Sequence, residues 1–503
     1  MANLTKDSTN GGRVAILLLL FLLALYKFYT SGLGGFAMIY GALPIGLFLA
    51  YFVFHYRMIS FWTLFIVNYF IMFIVRFNNI GMPASLPNEL LEILLIFLAI
   101  IDAKDMEMER VVNTMFFMLF AWCAFCTLEI LNDTCDLGLN FAVWYQGVRL
   151  MAFQLMYAFV VVSIYLYRPK DVMRFIFLWG ICILVSTYWV FQQKYIGLTP
   201  RERSWLLSEA GRSHNLTAGT RYWSTFSDAA TFGIHMAAAA CAFFITAITT
   251  RIKRHRYILL LFGLMATWSM FTSGTRTAIF CMIVGFALYM ILARSFKIVV
   301  PVSLVFGLFI GFLAFTNIAN GNQMIRRMRS GFKKGDASTN VRDMNKEALR
   351  KYIADAPWGL GLGMNYNVVP PGNKYKVAAG IPPDSEYVYI WVHTGIIGIT
   401  IFVVTTVVML FGACWIVMFR LRNGSLRGVG AGFCCAFLAT HLGGYGNQIL
   451  MQFPNIFIIY GGLALVYALP KIEPEWEKYE QELLTRQEEK RQKKLEARRA
   501  QRV

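Results

Sequence analysis

Charged residues are scarce in this chain of 503 residues: 15% are charged, while 57% are hydrophobic and 16% are aromatic. A soluble globular protein carries roughly 25% charged residues. The chain therefore has too little polar surface to cover a water-soluble particle of this size, and its excess apolar residues must face lipid. This composition excludes a cytosolic enzyme, a secreted disulfide scaffold and a disordered protein.

Cysteine is also sparse, and the nine cysteines form no regular pattern. Cys123 and Cys126 make a C-x-x-C sequence inside an apolar stretch, without a second pair and without a nearby histidine. Zinc sites and disulfide frameworks need paired cysteines at regular spacing. We interpret the cysteines as small buried hydrophobic residues, and we predict neither a metal site nor a cofactor.

Acidic residues are outnumbered, with 28 Asp and Glu against 47 Lys and Arg, which gives a net charge of +19. In a soluble protein this excess would suggest nucleic acid, but in a membrane protein basic residues flank spans on the cytoplasmic side. We therefore predict no nucleic-acid partner. The basic connectors 168–170, 251–256, 294–297 and 420–427 fall on one side of the predicted bilayer, so we predict that this side and both termini are cytoplasmic.

Apolar runs follow one another from Val14 to about residue 470. A transmembrane helix needs about 20 apolar residues, and only helices can satisfy the backbone of so many spans. We predict an all-α polytopic membrane protein with about 12–14 transmembrane helices. The predicted spans are 14–29, 36–54, 59–76, 89–101, 111–131, 149–167, 172–192, 225–248, 257–272, 278–293, 298–318, 386–418, 429–447 and 453–470.

Charge and loop length divide the chain further. Residues 1–470 are predicted to form the membrane domain, which includes two long outward loops at 193–224 and 320–384. Residues 471–503 are almost entirely charged and are predicted to form a solvated helical tail on the cytoplasmic side, near the anionic inner leaflet. A partner-binding coiled coil is the alternative, although no heptad repeat runs long enough to support it.

Both outward loops are basic, although they face away from the basic connectors. Long loops can cross a membrane regardless of their charge. Alternatively, the loops hold an anionic ligand such as a phosphate or diphosphate, which the planar guanidinium fork of arginine recognises. We favour the anionic ligand because several of these residues occur at motif positions. In the longer loop, residues 340–354 are predicted to form a helix on which Arg342, Lys346 and Arg350 share one face.

Four short segments in the second half of the chain form a series. They are Arg221-Tyr-Trp-Ser-Thr-Phe-Ser-Asp228, Thr272-Ser-Gly-Thr-Arg276-Thr-Ala278, Arg342 with Pro357-Trp-Gly359-Leu-Gly361-Leu-Gly363, and Asp384-Ser385 followed by Gly395-Ile-Ile-Gly398. In this order they resemble the motifs of the O-antigen ligase and O-antigen polymerase family of bacterial inner membranes. The glycine run lacks a preceding strand, so we interpret it as a tight backbone path rather than a dinucleotide site.

The resemblance implies a GT-C-type membrane glycosyltransferase with a partly helical extracytoplasmic loop. Such an enzyme transfers a glycan from a polyprenyl diphosphate carrier, such as undecaprenyl diphosphate, to an acceptor sugar hydroxyl on the periplasmic face. Ligases of the family carry His where this chain has Asp384, whereas polymerase-like members tolerate a carboxylate there. We therefore expect polymerisation of a surface polysaccharide, such as O-antigen, capsule or exopolysaccharide. The alternatives are an O-antigen ligase that attaches polymer to lipid A core, and a transporter of lipid-linked glycan.

Glycosyl transfer needs a base near the acceptor hydroxyl and cations at the departing diphosphate. The resemblance assigns Arg221 and Arg342 to the diphosphate, together with Arg276, which could instead satisfy backbone groups at the Ser273-Gly274 break. Because arginine is always charged, we expect no metal dependence. Asp384 is the expected base or acceptor-orienting group, or alternatively only the N-cap of the following helix. The expected accessory residues are Lys346, Arg350 and Ser385.

Overall fold

The computed structural model describes residues 51, 56–77, 85–101, 110–208, 211, 214–216, 219–293, 296–318, 321, 325–326, 329 and 337–501. Internal contacts divide the chain into two units, residues 1–63 and 64–503. The first unit is described at residue 51 and at residues 56–63, which include the start of the first helix. The hydrophobic core and the candidate site described below lie in the second unit.

Most of the described residues are helical. The helices are α1 Arg57–Phe77, α2 Leu86–Ile101, α3 Thr114–Leu128, α4 Phe141–Val148, α5 Gln154–Tyr165, α6 Pro169–Phe191, α7 Pro200–Leu207, α8 Ala229–Thr249, α9 Lys253–Thr272, α10 Arg276–Leu292, α11 Phe296–Phe315, α12 Ala337–Ile353, α13 Glu386–Trp415, α14 Gly424–Gly446 and α15 Gly461–Ala500. Short 3-10 turns at Glu129–Leu131 and Ala378–Gly380, and π-helical turns at Arg149–Phe153, Gln192–Ile196, Ile416–Arg420 and Ile456–Tyr460, extend or join them. The strands β1 Asn215–Leu216 and β2 Gly219–Thr220 pair antiparallel.

This architecture confirms the all-α polytopic prediction. Among the described residues, eight helical segments are long and apolar enough to cross a membrane. The predicted spans 14–29 and 36–54 lie outside the described residues, apart from Tyr51. Each of the remaining predicted spans coincides with a helix.

The core of the second unit forms around α8, which packs against α9, α10 and α14. Residues Ala237–Ala240 of α8 are fully buried, because small side chains let neighbouring helices approach closely. The start of α8 is set by Asp228, whose Oδ1 accepts hydrogen bonds from the backbone N–H groups of Ala230 and Thr231 at 2.7 and 2.9 Å. Such an N-cap supplies acceptors that the first turn of a helix otherwise lacks.

The longer outward loop carries its own hydrophobic core. The predicted helix at 340–354 is confirmed as α12, which begins slightly earlier, at Ala337. Leu349 and Ile353 of α12 are buried in one cluster with Leu360 of the glycine run, Cys135 of the loop before α4 and Val392 of α13. The loop is therefore anchored against the helix bundle and can hold side chains at fixed positions.

The glycine run and the kink of α13 form a backbone-to-backbone contact. Gly395 has φ 64° inside α13, which frees the carbonyls of Val392 and His393 from the helix. They accept hydrogen bonds from Leu360 N–H and Gly361 N–H at 2.8 and 3.0 Å. This confirms the interpretation of the run as a tight backbone path.

Gly395→Ala is expected to destabilise the protein by more than about 3 kcal/mol. A Cβ at Gly395 would lie 1.9 Å from the Pro357 carbonyl oxygen, so the two segments would have to separate. Gly372→Ala is the matched control, because Gly372 also has positive φ (88°) but a Cβ there meets nothing within 4 Å. Thermal unfolding of the detergent-purified proteins measures the difference; equal melting temperatures for the two variants would show that the crossing is not tight.

Candidate active site

Arg221 links three segments at one end of the bundle. Its backbone N–H donates to the His214 carbonyl at 2.9 Å, and its Nη2 donates to Thr275 Oγ1 at 3.1 Å. Thr275 Oγ1 donates in turn to the Ala229 carbonyl at 2.7 Å. The loop before α8, the start of α8 and the break between α9 and α10 therefore meet at the Arg221 guanidinium.

His214 strengthens this junction as a neutral side chain. Its Nε2 accepts the backbone N–H of Ala229 at 3.0 Å. Burial first, and then the positive charge of Arg221, lower the pKa of His214 to about 4. The imidazole is therefore uncharged at neutral pH, and its Nε2 stays available as an acceptor.

Three arginines from separate segments converge near this junction. The pKa of Arg221 is lowered, chiefly because burial disfavours its charge; Asp228 acts in the opposite direction, and the positive charges of Arg342 and Arg276 lower the pKa further. Among the described residues, neither Arg221 nor Arg342 forms an ion pair within 4 Å. Positive charges gathered in this way indicate a site for an anion.

Arg342 reaches the site from α12. Its Nη2 donates to Asn447 Oδ1 at 3.2 Å, so α12 contacts the C-terminal end of α14. A Cβ added at Gly446 would lie 3.4 Å from Arg342 Nη1 and 3.5 Å from Thr277 Oγ1. Since Thr277 follows Arg276, the arginines of α10 and α12 border the same end of α14.

Asp384 is held by the same helix. Asn345, three residues after Arg342 on α12, donates its Nδ2 to Asp384 Oδ2 at 2.7 Å. One face of α12 therefore carries both Arg342 and Asn345, the residue that holds Asp384.

The alternative role of Asp384 as a helix cap is wrong. The N-cap position of α13 is Ser385, whose side chain makes no capping hydrogen bond. Asp384 has φ 49°, a left-handed conformation that costs most residues about 1–2 kcal/mol, and Asp is among the few residues other than glycine that adopt it. Strain of this kind is concentrated at functional sites.

The expected accessory residues lie in different surroundings. Lys346 is exposed, and Arg350 Nη1 lies 4.0 Å from Glu347 Oε2 on the outer surface of α12. Ser385 is buried and donates its Oγ to the Gly444 carbonyl at 3.1 Å. Among the described residues, no group of three or more His, Cys, Asp or Glu side chains is placed to hold a metal ion.

The sequence did not lead to two residues of the site, Asn345 and Asn447. Asn345 could have been found from its helical spacing to Arg342, because residues three apart share a face. Asn447 carries no such signal, since it follows a different helix, 105 positions away in the sequence from Arg342.

The described residues form a bundle of apolar helices with a cationic, carboxylate-bearing site where helices end, which fits a multi-pass membrane protein. Residues 260–403 match the family model for O-antigen ligase, a region that contains Arg276, Arg342 and Asp384. This match confirms the resemblance to the O-antigen ligase and polymerase family and supports an O-antigen ligase-like function in the membrane. None of the curated proteins matches the chain.

Proposed function

We propose that this protein is a membrane glycosyltransferase that transfers glycan from a polyprenyl diphosphate carrier to an acceptor sugar hydroxyl and so polymerises a surface polysaccharide. The observation that carries the proposal is the convergence of Arg221, Arg276 and Arg342 beside a helix that also holds Asp384. Lipid-linked glycan as the donor follows in general terms from the O-antigen ligase match.

Unpaired hydrogen-bond donors support a diphosphate as the bound group. Arg221 Nε is buried and meets no acceptor among the residues that the structure describes. A buried donor without an acceptor costs about 1–3 kcal/mol, and more when it is charged. A diphosphate supplies both negative charge and oxygen acceptors, so its binding would satisfy the guanidinium.

The proposed chemistry assigns one task to each group. Asp384 accepts the proton of the acceptor hydroxyl while that oxygen bonds to the anomeric carbon of the donor sugar. The bond between this carbon and the diphosphate oxygen breaks, and its electron pair leaves with the polyprenyl diphosphate. Arg221, Arg276 and Arg342 stabilise the negative charge that develops on the leaving oxygens.

The position of the site supports a periplasmic location. α8 begins beside Arg221 and ends before connector 251–256, whereas α14 begins in connector 420–427 and ends beside Arg342. Helices of 21 and 23 residues are about 32–35 Å long, which is about the thickness of the hydrocarbon core. Because basic connectors mark the cytoplasmic side, the site is proposed to face the periplasm from the bacterial inner membrane.

Contacts of α15 support a cytoplasmic tail at 471–503 beside the membrane domain at 1–470. Glu473 Oε1 accepts the backbone N–H of Arg422 at 2.7 Å, and Glu480 Oε2 lies 3.9 Å from Arg251 Nη1. The beginning of the tail therefore lies against the basic connectors 251–256 and 420–427. The positive-inside rule places both termini on this side of the membrane.

Polymerase and ligase are separated by the lipids that accumulate in cells without the protein. A missing polymerase leaves single repeat units on the carrier, whereas a missing ligase leaves long polymer on the carrier. We expect single repeat units, because the chain has Asp384 where ligases of the family carry His. Long carrier-linked polymer would instead support the ligase.

Chelation of metal ions is expected to leave activity unchanged. Arginine keeps its charge at neutral pH, so the three guanidiniums can neutralise the leaving diphosphate themselves. The measurement is the rate of chain extension by purified protein with EDTA, compared with EDTA plus excess Mg²⁺. A large loss with EDTA that Mg²⁺ restores would show that a metal shares this task.

A further inference from the structure

Asn447 lies at the end of α14, outside the residues that match the ligase family model. Its backbone leaves the helix in an extended conformation, with φ −156° and ψ 156°. Its side-chain Oδ1 accepts a hydrogen bond from Arg342 Nη2 at 3.2 Å. A residue from the penultimate helix thus contributes directly to the cationic site.

The contact with Arg342 fixes the orientation of the Asn447 amide. A guanidinium can only donate hydrogen bonds, so the oxygen of the amide must face Arg342 and the nitrogen must face away. This Nδ2 is buried and meets no acceptor within the described part of the chain. Buried amide donors are nearly always paired in folded proteins, so this Nδ2 is placed to donate to a bound ligand.

Neighbouring groups indicate the chemistry of that acceptor. Gly446 has no side chain, and the space where its Cβ would lie borders Arg342 Nη1 and Thr277 Oγ1 at 3.4 and 3.5 Å. Arg221 Nε is a second buried donor that lacks an acceptor among the described residues. The surroundings are cationic and rich in donors, which suits an oxygen of an anionic group.

We propose that Asn447 is a substrate-binding residue whose Oδ1 orients Arg342 and whose Nδ2 donates to a diphosphate oxygen of the glycan carrier. This assignment rests on the function proposed above. An amide suits the position because it offers an acceptor to the guanidinium and a donor to the anion. A carboxylate could accept from the guanidinium, but it could not donate to the anion and would repel it.

The test is a double-mutant cycle on full-length protein purified in detergent, with inorganic diphosphate as the probe and calorimetry as the measurement. Asn447→Ala is expected to weaken binding about tenfold or more, the size expected for a lost hydrogen bond to a charged group. In an Arg342→Ala background, Asn447→Ala should still weaken binding several-fold. No further loss in that background would mean that Asn447 acts only through Arg342, and would overturn the proposal.

Two further variants sharpen the cycle. Asn447→Asp keeps an acceptor for Arg342 but loses the donor, so it should bind diphosphate more weakly than Asn447→Ala; binding at the wild-type level would overturn the proposal. Asn367→Ala, in an exposed part of the long loop, is the control and should bind normally.

The cycle also separates failure of this inference from failure of the proposed function. If Arg221→Ala and Arg342→Ala bind diphosphate as tightly as the wild type does, the site is not a diphosphate site, and both proposals fall. If these arginine variants lose binding while the Asn447 variants do not, only the role of Asn447 is wrong.

Discussion

Asp384→Asn is expected to lower the rate of glycan extension by a factor on the order of 10²–10⁴, the usual contribution of a general base. The substitution preserves the shape of the side chain. In the unchanged protein Asn345 donates a hydrogen bond to Asp384 Oδ2 at 2.7 Å, and the amide oxygen of the variant can still accept it. The fold should therefore persist while the proton acceptor is lost. The measurement is the rate of product formation by purified protein supplied with lipid-linked repeat units.

The matched control for this variant is Asp355→Asn. Asp355 is an exposed carboxylate whose Oδ2 lies 3.9 Å from Lys374 Nζ, and an exposed pair of this kind contributes little. The control should extend glycan at the wild-type rate. Full activity in Asp384→Asn as well would remove the carboxylate from the chemistry.

Arg342→Ala is expected to lower the extension rate by a factor on the order of 10²–10³, the size seen when one group that stabilises a developing oxyanion is removed. Arg221→Ala should have a similar effect. Arg342→Lys should recover only part of the activity, because the ammonium keeps the charge but loses the planar fork. The assay is again chain extension by the purified protein.

Stability measurements distinguish a binding role for Arg342 from a structural one. Arg342 and Arg276 both oppose the charge on Arg221, so removing one guanidinium relieves repulsion in the empty site. The melting temperature of Arg342→Ala should therefore stay level or rise, as expected where function is maintained at the expense of stability. Arg201→Ala, on the exposed surface of α7, should change neither activity nor stability; a large loss of stability in Arg342→Ala would indicate that the arginine mainly supports the fold.

Local patterns in the sequence predict most of this fold, because each span is a continuous apolar run and each connector is polar. The helix of the long loop could be predicted from the spacing of its charged residues, and its true start at Ala337 differs by only a few residues from the predicted 340. The sequence singles out Gly395 as part of a glycine motif but does not predict the kink there. Its partner, the carbonyl of Pro357, becomes evident when the two segments are seen to cross.

The site could be predicted less completely, because side-chain partners depend on contacts between distant segments. The motifs single out Arg221, Arg342 and Asp384, but the asparagines that hold two of them carry no motif. Asn345 holds Asp384 from 39 positions away, and Asn447 holds Arg342 from 105 positions away. Hydrogen bonds over such separations follow from the packing of whole helices and not from local periodicity.

The most direct test of the proposed function is reconstitution of the purified protein in liposomes with a carrier-linked single repeat unit as the sole substrate. Mass spectrometry would follow glycan length and free polyprenyl diphosphate together. We predict carrier-linked oligomers and one polyprenyl diphosphate released for each linkage formed, with neither product from Asp384→Asn. Transfer of intact donor across the bilayer without any new linkage would contradict glycosyl transfer and would instead identify a transporter.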